Sequence, residues 1–196
     1  MAINLLPTDG TMELYEAAVG TSEATRMFDM LIQEVSWRSE TIMMFGKPVM
    51  QPRRTALYGD EGLTYRYSGR TMHPLPWTPT LLALKAVAEA YATTSFSTVL
   101  VNLYRNGADS MGWHRDNERE LGPHPTIASI SLGTTRLFQC KHRTDPSLRV
   151  SLPLTNGSLL VMKGAMQEQW YHQIPKERRV TEPRINLTFR AIQGTV

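Results

Sequence analysis

The sequence predicts a mainly β fold with flanking helices, arranged as a double-stranded β-helix, or jelly roll. Three observations predict it. From about Ser97 the chain breaks into seven short segments rich in β-branched and aromatic residues. Glycine-bearing turn signals (Asn106-Gly107, Leu132-Gly133, Asn156-Gly157, Lys163-Gly164) separate them. Only two stretches carry helical periodicity, and both precede this region. Many short strands in a compact C-terminal half suit two facing sheets.

Taken in order, the first helix runs from about Ser22 to Val35, with Ala24, Met27, Phe28, Leu31, Ile32 and Val35 on one stripe. The second has Thr78 as its cap and Pro79 at its first position. It continues through Leu81 to Tyr91 with Leu81, Leu84, Ala88 and Tyr91 as the apolar face. Both read as packing layers over one side of the roll. The strands are Thr98–Arg105, Thr126–Leu132, Arg136–His142, Val150–Leu154, Ser158–Met162, Trp170–Ile174 and Arg184–Ile192. Residues 1–196 are expected to form one domain, with about 97–192 as the jelly-roll core.

Composition narrows the setting. A hydrophobic fraction of 41% supports a substantial core, and the net charge of +3 permits a polyanionic partner without demanding one. No apolar run approaches the roughly 20 residues of a membrane span, and the N-terminus lacks a secretory pattern. The single Cys140 fits a reducing compartment and reads as a buried strand thiol. The expectation is a monomer without a membrane partner, cytoplasmic in a bacterium or nuclear in a eukaryote.

Alternation then points to chemistry. On the last strand Arg184, Asn186, Thr188 and Arg190 share one face, and Ile185, Leu187 and Phe189 the other. Asn102 and Tyr104 share a face upstream, as do His114 and Asp116 if that segment is extended. A polar face is usually the solvent side of a sheet. These carry candidate metal ligands and anion binders, so they are expected inside the roll, with the apolar faces under the helices. His114, Asp116 and His172 supply two imidazoles and one carboxylate, the facial triad of non-haem Fe(II) sites. His-x-Asp by itself is a weak signal, and a His after Trp170-Tyr171 is ordinarily structural. What raises both is the Arg-x5-Arg strand after them, whose guanidinium forks suit a dicarboxylate.

Longer runs carry a resemblance. Asn102-Leu103-Tyr104-Arg105-Asn106-Gly107, Gly112-Trp113-His114-Arg115-Asp116, Ala128-Ser129-Ile130-Ser131-Leu132-Gly133, Trp170-Tyr171-His172 and Pro183-Arg184-Ile185-Asn186-Leu187-Thr188-Phe189-Arg190 resemble the AlkB family. The likeness extends from about Phe45 to Arg190. Phe45-Gly46-Lys47, Tyr58-Gly59-Asp60 and Gly62-Leu63-Thr64-Tyr65-Arg66-Tyr67-Ser68-Gly69 are most similar to the branch of the second human AlkB homologue.

The resemblance implies a dioxygenase that uses Fe(II), O2 and 2-oxoglutarate to demethylate N-alkylated bases such as 1-methyladenine and 3-methylcytosine, releasing formaldehyde and succinate. Its partner would be alkylated DNA, duplex or single-stranded. RNA or tRNA demethylation and a non-catalytic alkyl-base binder stand as alternatives. It implies iron ligation by His114, Asp116 and His172, and a 2-oxoglutarate site built around Arg184 with Asn102, Tyr104, Asn186, Thr188 and Arg190. Residues of about 38–75 would form nucleotide-recognition hairpins. There Phe45, in Phe45-Gly46-Lys47, would wedge into the gap left by the flipped base; otherwise it anchors a surface hairpin. One of Tyr65 and Tyr67 would stack that base, although alternating tyrosines also suit a sheet core. Asn117 and Glu118 are candidates for reading the base edge, and Arg53, Arg54, Arg66 and Arg70 for phosphate contacts. One departure is notable. Only nine residues, Lys141 to Arg149, lie between Cys140 and Val150, where the duplex-repairing branch has a longer basic loop.

Overall fold

The computed structural model describes residues 3–44, 47–63, 65–67 and 70–193, with the backbone alone for 42–44, 47–48, 65–67 and 70–72. In chain order the elements are β1 (Thr11–Tyr15), α1 (Thr21–Glu34), β2 (Arg38–Met44), β3 (Lys47–Gly59), β4 (Tyr65–Tyr67), β5 (Arg70–Met72) and α2 (Pro79–Ala92). They continue with β6 (Thr98–Tyr104), β7 (Met111–His114), β8 (Ile127–Gly133), β9 (Arg136–His142), β10 (Arg149–Leu154), β11 (Leu159–Lys163), α3 (Met166–Gln169), β12 (Trp170–Ile174) and β13 (Arg184–Arg190).

Seven strands form the major sheet in the order β1-β11-β8-β13-β6-β3-β2, and four form the minor sheet in the order β10-β9-β12-β7. Every pairing within the two sheets is antiparallel. The two sheets face each other, and their strands lie close to the predicted ones. β2 and β3 add to the same major sheet through β6, with Arg54 opposite Leu103 and Tyr58 opposite Val99.

The two faces of the major sheet differ as the alternation predicts. Val99, Val101, Leu103, Ala128, Ile130, Ile185, Leu187 and Phe189 join Leu31, Leu81, Leu84 and Ala88 of the helices in one core. On the other face Leu100, Tyr104, Ile127, Leu160 and Met162 meet Phe138, Cys140, Leu152 and Trp170 of the minor sheet. Each fully buried leucine contributes roughly 1.5–3 kcal/mol. Cys140 is the buried strand thiol expected, and burial pushes its pKa up.

α2 begins as its cap dictates: the Thr78 hydroxyl accepts the Leu81 N–H at 3.2 Å, and Pro79 occupies the first turn. Two stripe residues depart from expectation. Ile32 is 36% exposed because it sits about 100° round the helix from the buried Leu31. Tyr91 is 37% exposed at the rim, where its ring meets Tyr15 at 4.6 Å. Among the described residues no helix is long and apolar enough to cross a membrane.

Candidate active site

Three elements bring the ligand candidates together. β12 pairs with β7 so that His172 lies directly opposite His114, their ring centroids 4.2 Å apart. Asp116 does not belong to that strand, which ends at His114. It is placed instead by its N–H, which donates to the buried Gln167 side chain of α3 at 2.9 Å, and by Arg190 Nη2, 2.9 Å from its Oδ1. One ligand atom from each of His114, Asp116 and His172 lies within 4.8 Å of the others.

The protonation states suit a divalent cation. Burial would raise the Asp116 carboxyl, but Arg190 and the two imidazoles outweigh it and hold it down at about 2. Burial, reinforced by His114, pushes His172 down to about 3, and burial lowers His114 as well. At neutral pH the set is therefore one carboxylate and two neutral imidazoles, the donor chemistry of a facial triad. His114 Nδ1 lies 2.8 Å from the Gly112 carbonyl. A carbonyl only accepts, so the proton is on Nδ1 and Nε2 is left with its lone pair for a metal. His172 Nδ1 is buried without a hydrogen-bond partner.

The inner face of the major sheet supplies the second half of the site. The register sets Arg184 opposite Tyr104 and Asn186 opposite Asn102 on one side, with Asn186 opposite Ser131 on the other. Arg184, Tyr104, Asn186 and Asn102 open onto the cavity that also touches His114, Asp116 and His172, and Ser131 stands behind Arg184. Arg184 is 1% exposed, its Nη2 donates to Ser131 Oγ at 2.8 Å, and its guanidinium lies 5.3 Å from the Tyr104 ring. Its Nε and Nη1 are buried with no acceptor. Burial lowers its pKa to about 10, and no carboxylate in the cavity pairs with it. A buried fork with two unused donors suits a carboxylate group, so the residues present fit an acidic cosubstrate.

The remaining predicted cosubstrate residues divide. Asn186 donates to Ser129 Oγ and the Ile130 carbonyl, and Thr188 donates to Asn186 Oδ1, so these two chiefly set the pocket wall. Arg190 faces the cavity, but its guanidinium is engaged by Asp116, which makes it the brace of a metal ligand. Asn102 Oδ1 accepts from Arg53 Nε at 2.8 Å. So bonded, Arg53 is 4% exposed and lines the outer cleft, where it stands as a wall toward the cavity instead of on the open surface expected of a phosphate contact. Arg54 is exposed.

Outside the triad lies a cleft of about 720 Å³ bounded by Val49, Met50, Arg53, Trp113, His114 and Glu118. Glu118 lines it as expected, whereas Asn117 is exposed and does not. Phe45 and Gly46 lie outside the described residues, as do the side chains of Lys47, Tyr65, Arg66 and Tyr67. β2 and β3 nevertheless pair up to Met44 and Lys47, and the exposed Val49 and Met50 are 40% and 60% open. β9 and β10 are joined by a tight turn in which Asp145 Oδ1 accepts the Ser147 N–H and hydroxyl, so no long basic arm emerges there.

Sequence reasoning missed Gln167, Ser129, Ser131, Trp113 and Arg136 as parts of the site. Arg136 is fully buried, bonds Glu177 and the carbonyls of Asn106, Asp109 and Pro175, and lies 5.6 Å from the Tyr104 ring. For the serines a signal existed: Ser129 and Ser131 alternate with Ala128, Ile130 and Leu132 as polar partners of the Arg184 strand.

Comparison with known proteins agrees with this geometry. The family model of the 2OG-Fe(II) oxygenase superfamily matches residues 11–190. Human DNA oxidative demethylase ALKBH2 is 42% identical over 188 residues, covering 91% of this chain and 72% of its own. Human alpha-ketoglutarate-dependent dioxygenase alkB homolog 3 is 42% identical, covering 97% and 69%. Its bovine counterpart is 44% identical, and this chain spans 63% of that relative's length. The solved structure of OsALKBH1 superposes with a TM-score of 0.62 at 17% identity over 92% of this chain and 96% of its own, a likeness of fold. With its triad, buried arginine fork and two-sheet roll, the chain belongs to the AlkB family of the 2OG-Fe(II) oxygenase superfamily.

Proposed function

We propose that this protein demethylates N-alkylated bases in nucleic acid by oxidation, with Fe(II), O2 and 2-oxoglutarate as cofactor and cosubstrates. The observation that carries the reading is a cavity holding the buried Arg184 fork and an outer cleft of about 720 Å³, both of which touch His114 and Asp116 of one His-Asp-His set. The names of the two human relatives, a DNA oxidative demethylase and an alpha-ketoglutarate-dependent dioxygenase, support the same class.

His114, Asp116 and His172 would hold iron, and Arg184 the distal carboxylate of 2-oxoglutarate, with Tyr104 and Asn102 beside it. Iron, when bound with both cosubstrates, supplies the oxidation of an N-methyl carbon to a hydroxymethyl group, which then leaves as formaldehyde. The protein's own residues do the rest. Arg190 and Gln167 fix the Asp116 carboxylate, and Gly112 fixes the His114 tautomer. Arg53 and Asn102 close the wall between cavity and cleft, so the acid and the base enter from different sides. Glu118, on the cleft wall, favours a methylated base, which carries positive charge. Extrusion of the target base costs a few kcal/mol and least for a damaged pair, so selection begins before the cleft is reached.

The test is formaldehyde release from oligonucleotides carrying 1-methyladenine, as single-stranded DNA, duplex DNA and RNA, with Asp116→Ala as the blank. Release that vanishes in the blank is expected. Consumption of 2-oxoglutarate without formaldehyde from any of the three would refute the substrate class while leaving the oxygenase in place.

A further inference from the structure

The outward face of the minor sheet has an unusual composition. On β9, β12 and β10 most inward residues are buried and none of the outward ones is. None of the residues in β7, β9, β10 and β12 is an Asp or a Glu, although the chain has 18 of them. What the face does carry is a stack of alternating rings and cations. The Arg115 guanidinium lies 5.0 Å from the Tyr171 ring, Lys141 Nζ 5.8 Å from the same ring and 4.5 Å from Trp113. The array crosses three adjacent strands and reaches β10, where Arg149 lies opposite Lys141 and is exposed. With strands about 4.8 Å apart, the face is about 14 Å wide.

A cation–aromatic ladder stabilises an exposed sheet only modestly, and it does not call for the exclusion of carboxylates. Nor does it call for a tryptophan left 37% exposed on an edge strand. The ladder also runs into the cleft: Trp113 and Arg115 belong to both. Aromatic rings alternating with cations, one of them a half-exposed tryptophan, continuous with a site that receives one base, are the features of a single-strand platform.

We propose that this face binds the unpaired strand flanking the target base, its bases stacking on Trp113 and Tyr171 and its phosphates meeting Arg115, Lys141 and Arg149. The proposal rests on the demethylase reading for its direction, since the strand enters the cleft from this side. The compact β9–β10 turn agrees with it, because no arm rises there to hold a second strand over the face. Each bonded phosphate should contribute about 0.7 to the logarithmic salt slope.

The experiment uses the whole protein and the double variant Lys141→Gln, Arg149→Gln, neither residue a cleft residue. Affinity for undamaged oligothymidylate of about 12 nucleotides, inside the range one such platform occupies, is measured across salt. Turnover of a methylated trinucleotide is compared with that of a long single strand carrying the same lesion. The variant should bind the oligothymidylate about tenfold more weakly, with a salt slope reduced by about 1.4. Its preference for the long over the short substrate should fall by a similar factor. Equal fractional losses on both lengths, or an unchanged salt slope, would overturn the platform, as would tighter wild-type binding to duplex than to single strand. Wild-type binding of oligothymidylate with no turnover of either methylated substrate would instead refute the demethylase reading and leave the platform standing.

Discussion

Replacement of Arg184 by Met separates a residue that holds the protein together from one that waits for a ligand. In the free protein its guanidinium is buried against one hydroxyl, with Nε and Nη1 unused. Folding lowers its pKa from an ordinary value near 12.5 to about 10, roughly 3 kcal/mol against the charged form. Met has a similar length and no charge, so it removes that penalty and loses one hydrogen bond of about 1 kcal/mol. The free variant should thus melt no lower than wild type, whereas loss of a satisfied buried ion pair would cost about 3–5 kcal/mol. Addition of 2-oxoglutarate with Mn(II) at about 100 times its Kd should stabilise wild type by about 2.7 kcal/mol. For a chain of this size that is a rise of about 5–11 °C in Tm. In the variant the rise should vanish, because two charge-assisted bonds of about 1.5–3 kcal/mol each are gone. Differential scanning fluorimetry reads both. A variant that melts far below wild type yet keeps the ligand-induced rise would refute the argument.

Three further outcomes follow from neighbouring contacts. Arg190→Gln should weaken iron binding about 10–100-fold, with Arg190→Lys recovering part of it, because Asp116 loses the partner that orients it; an iron titration measures this. Gly107→Ala should lower stability by at least about 1–3 kcal/mol in urea unfolding, since the added Cβ would lie 1.8 Å from the Glu177 carbonyl oxygen. Asp109→Asn should cost about 1 kcal/mol at neutral pH, a figure discounted because Arg105 is half exposed. Burial raises the Asp109 carboxyl, but hydrogen bonds from the Arg105 side chain and N–H, with Arg136 nearby, outweigh it and leave the pKa lowered. A depressed carboxylate stabilises above its unfolded pKa of about 3.9, so the gap between Asp109→Asn and wild type should close as pH falls below about 4.

The strands were legible because one face of each is apolar and the period is two, so Ile185, Leu187 and Phe189 announced the helix side before any partner was known. α2 was legible from a local cap, Thr78-Pro79, whose geometry needs nothing distant. Local signals stop where a position depends on a partner far along the chain. Asp116 was expected on a strand with His114; it is placed by Gln167 and Arg190, 51 and 74 residues away. Ile32 and Tyr91 show the converse, apolar residues whose helix face is right by composition but which the packing leaves at the rim.

The arginines carry this point furthest. In the sequence Arg184 and Arg190 read alike, as two forks for one dicarboxylate, Arg53 reads as a phosphate contact, and Arg136 carries no signal. In the fold all four are buried, and they differ only in what answers them. Arg53 is answered by the Asn102 amide, Arg136 by Glu177 and three carbonyls, and Arg190 by Asp116. Arg184 has one serine hydroxyl and two N–H groups facing a cavity. A buried cation without a counterion opposes folding, so it persists where binding of an anion supplies the missing partner. Identity places a guanidinium in the chain, but only the distribution of acceptors around it separates a brace from a binding site.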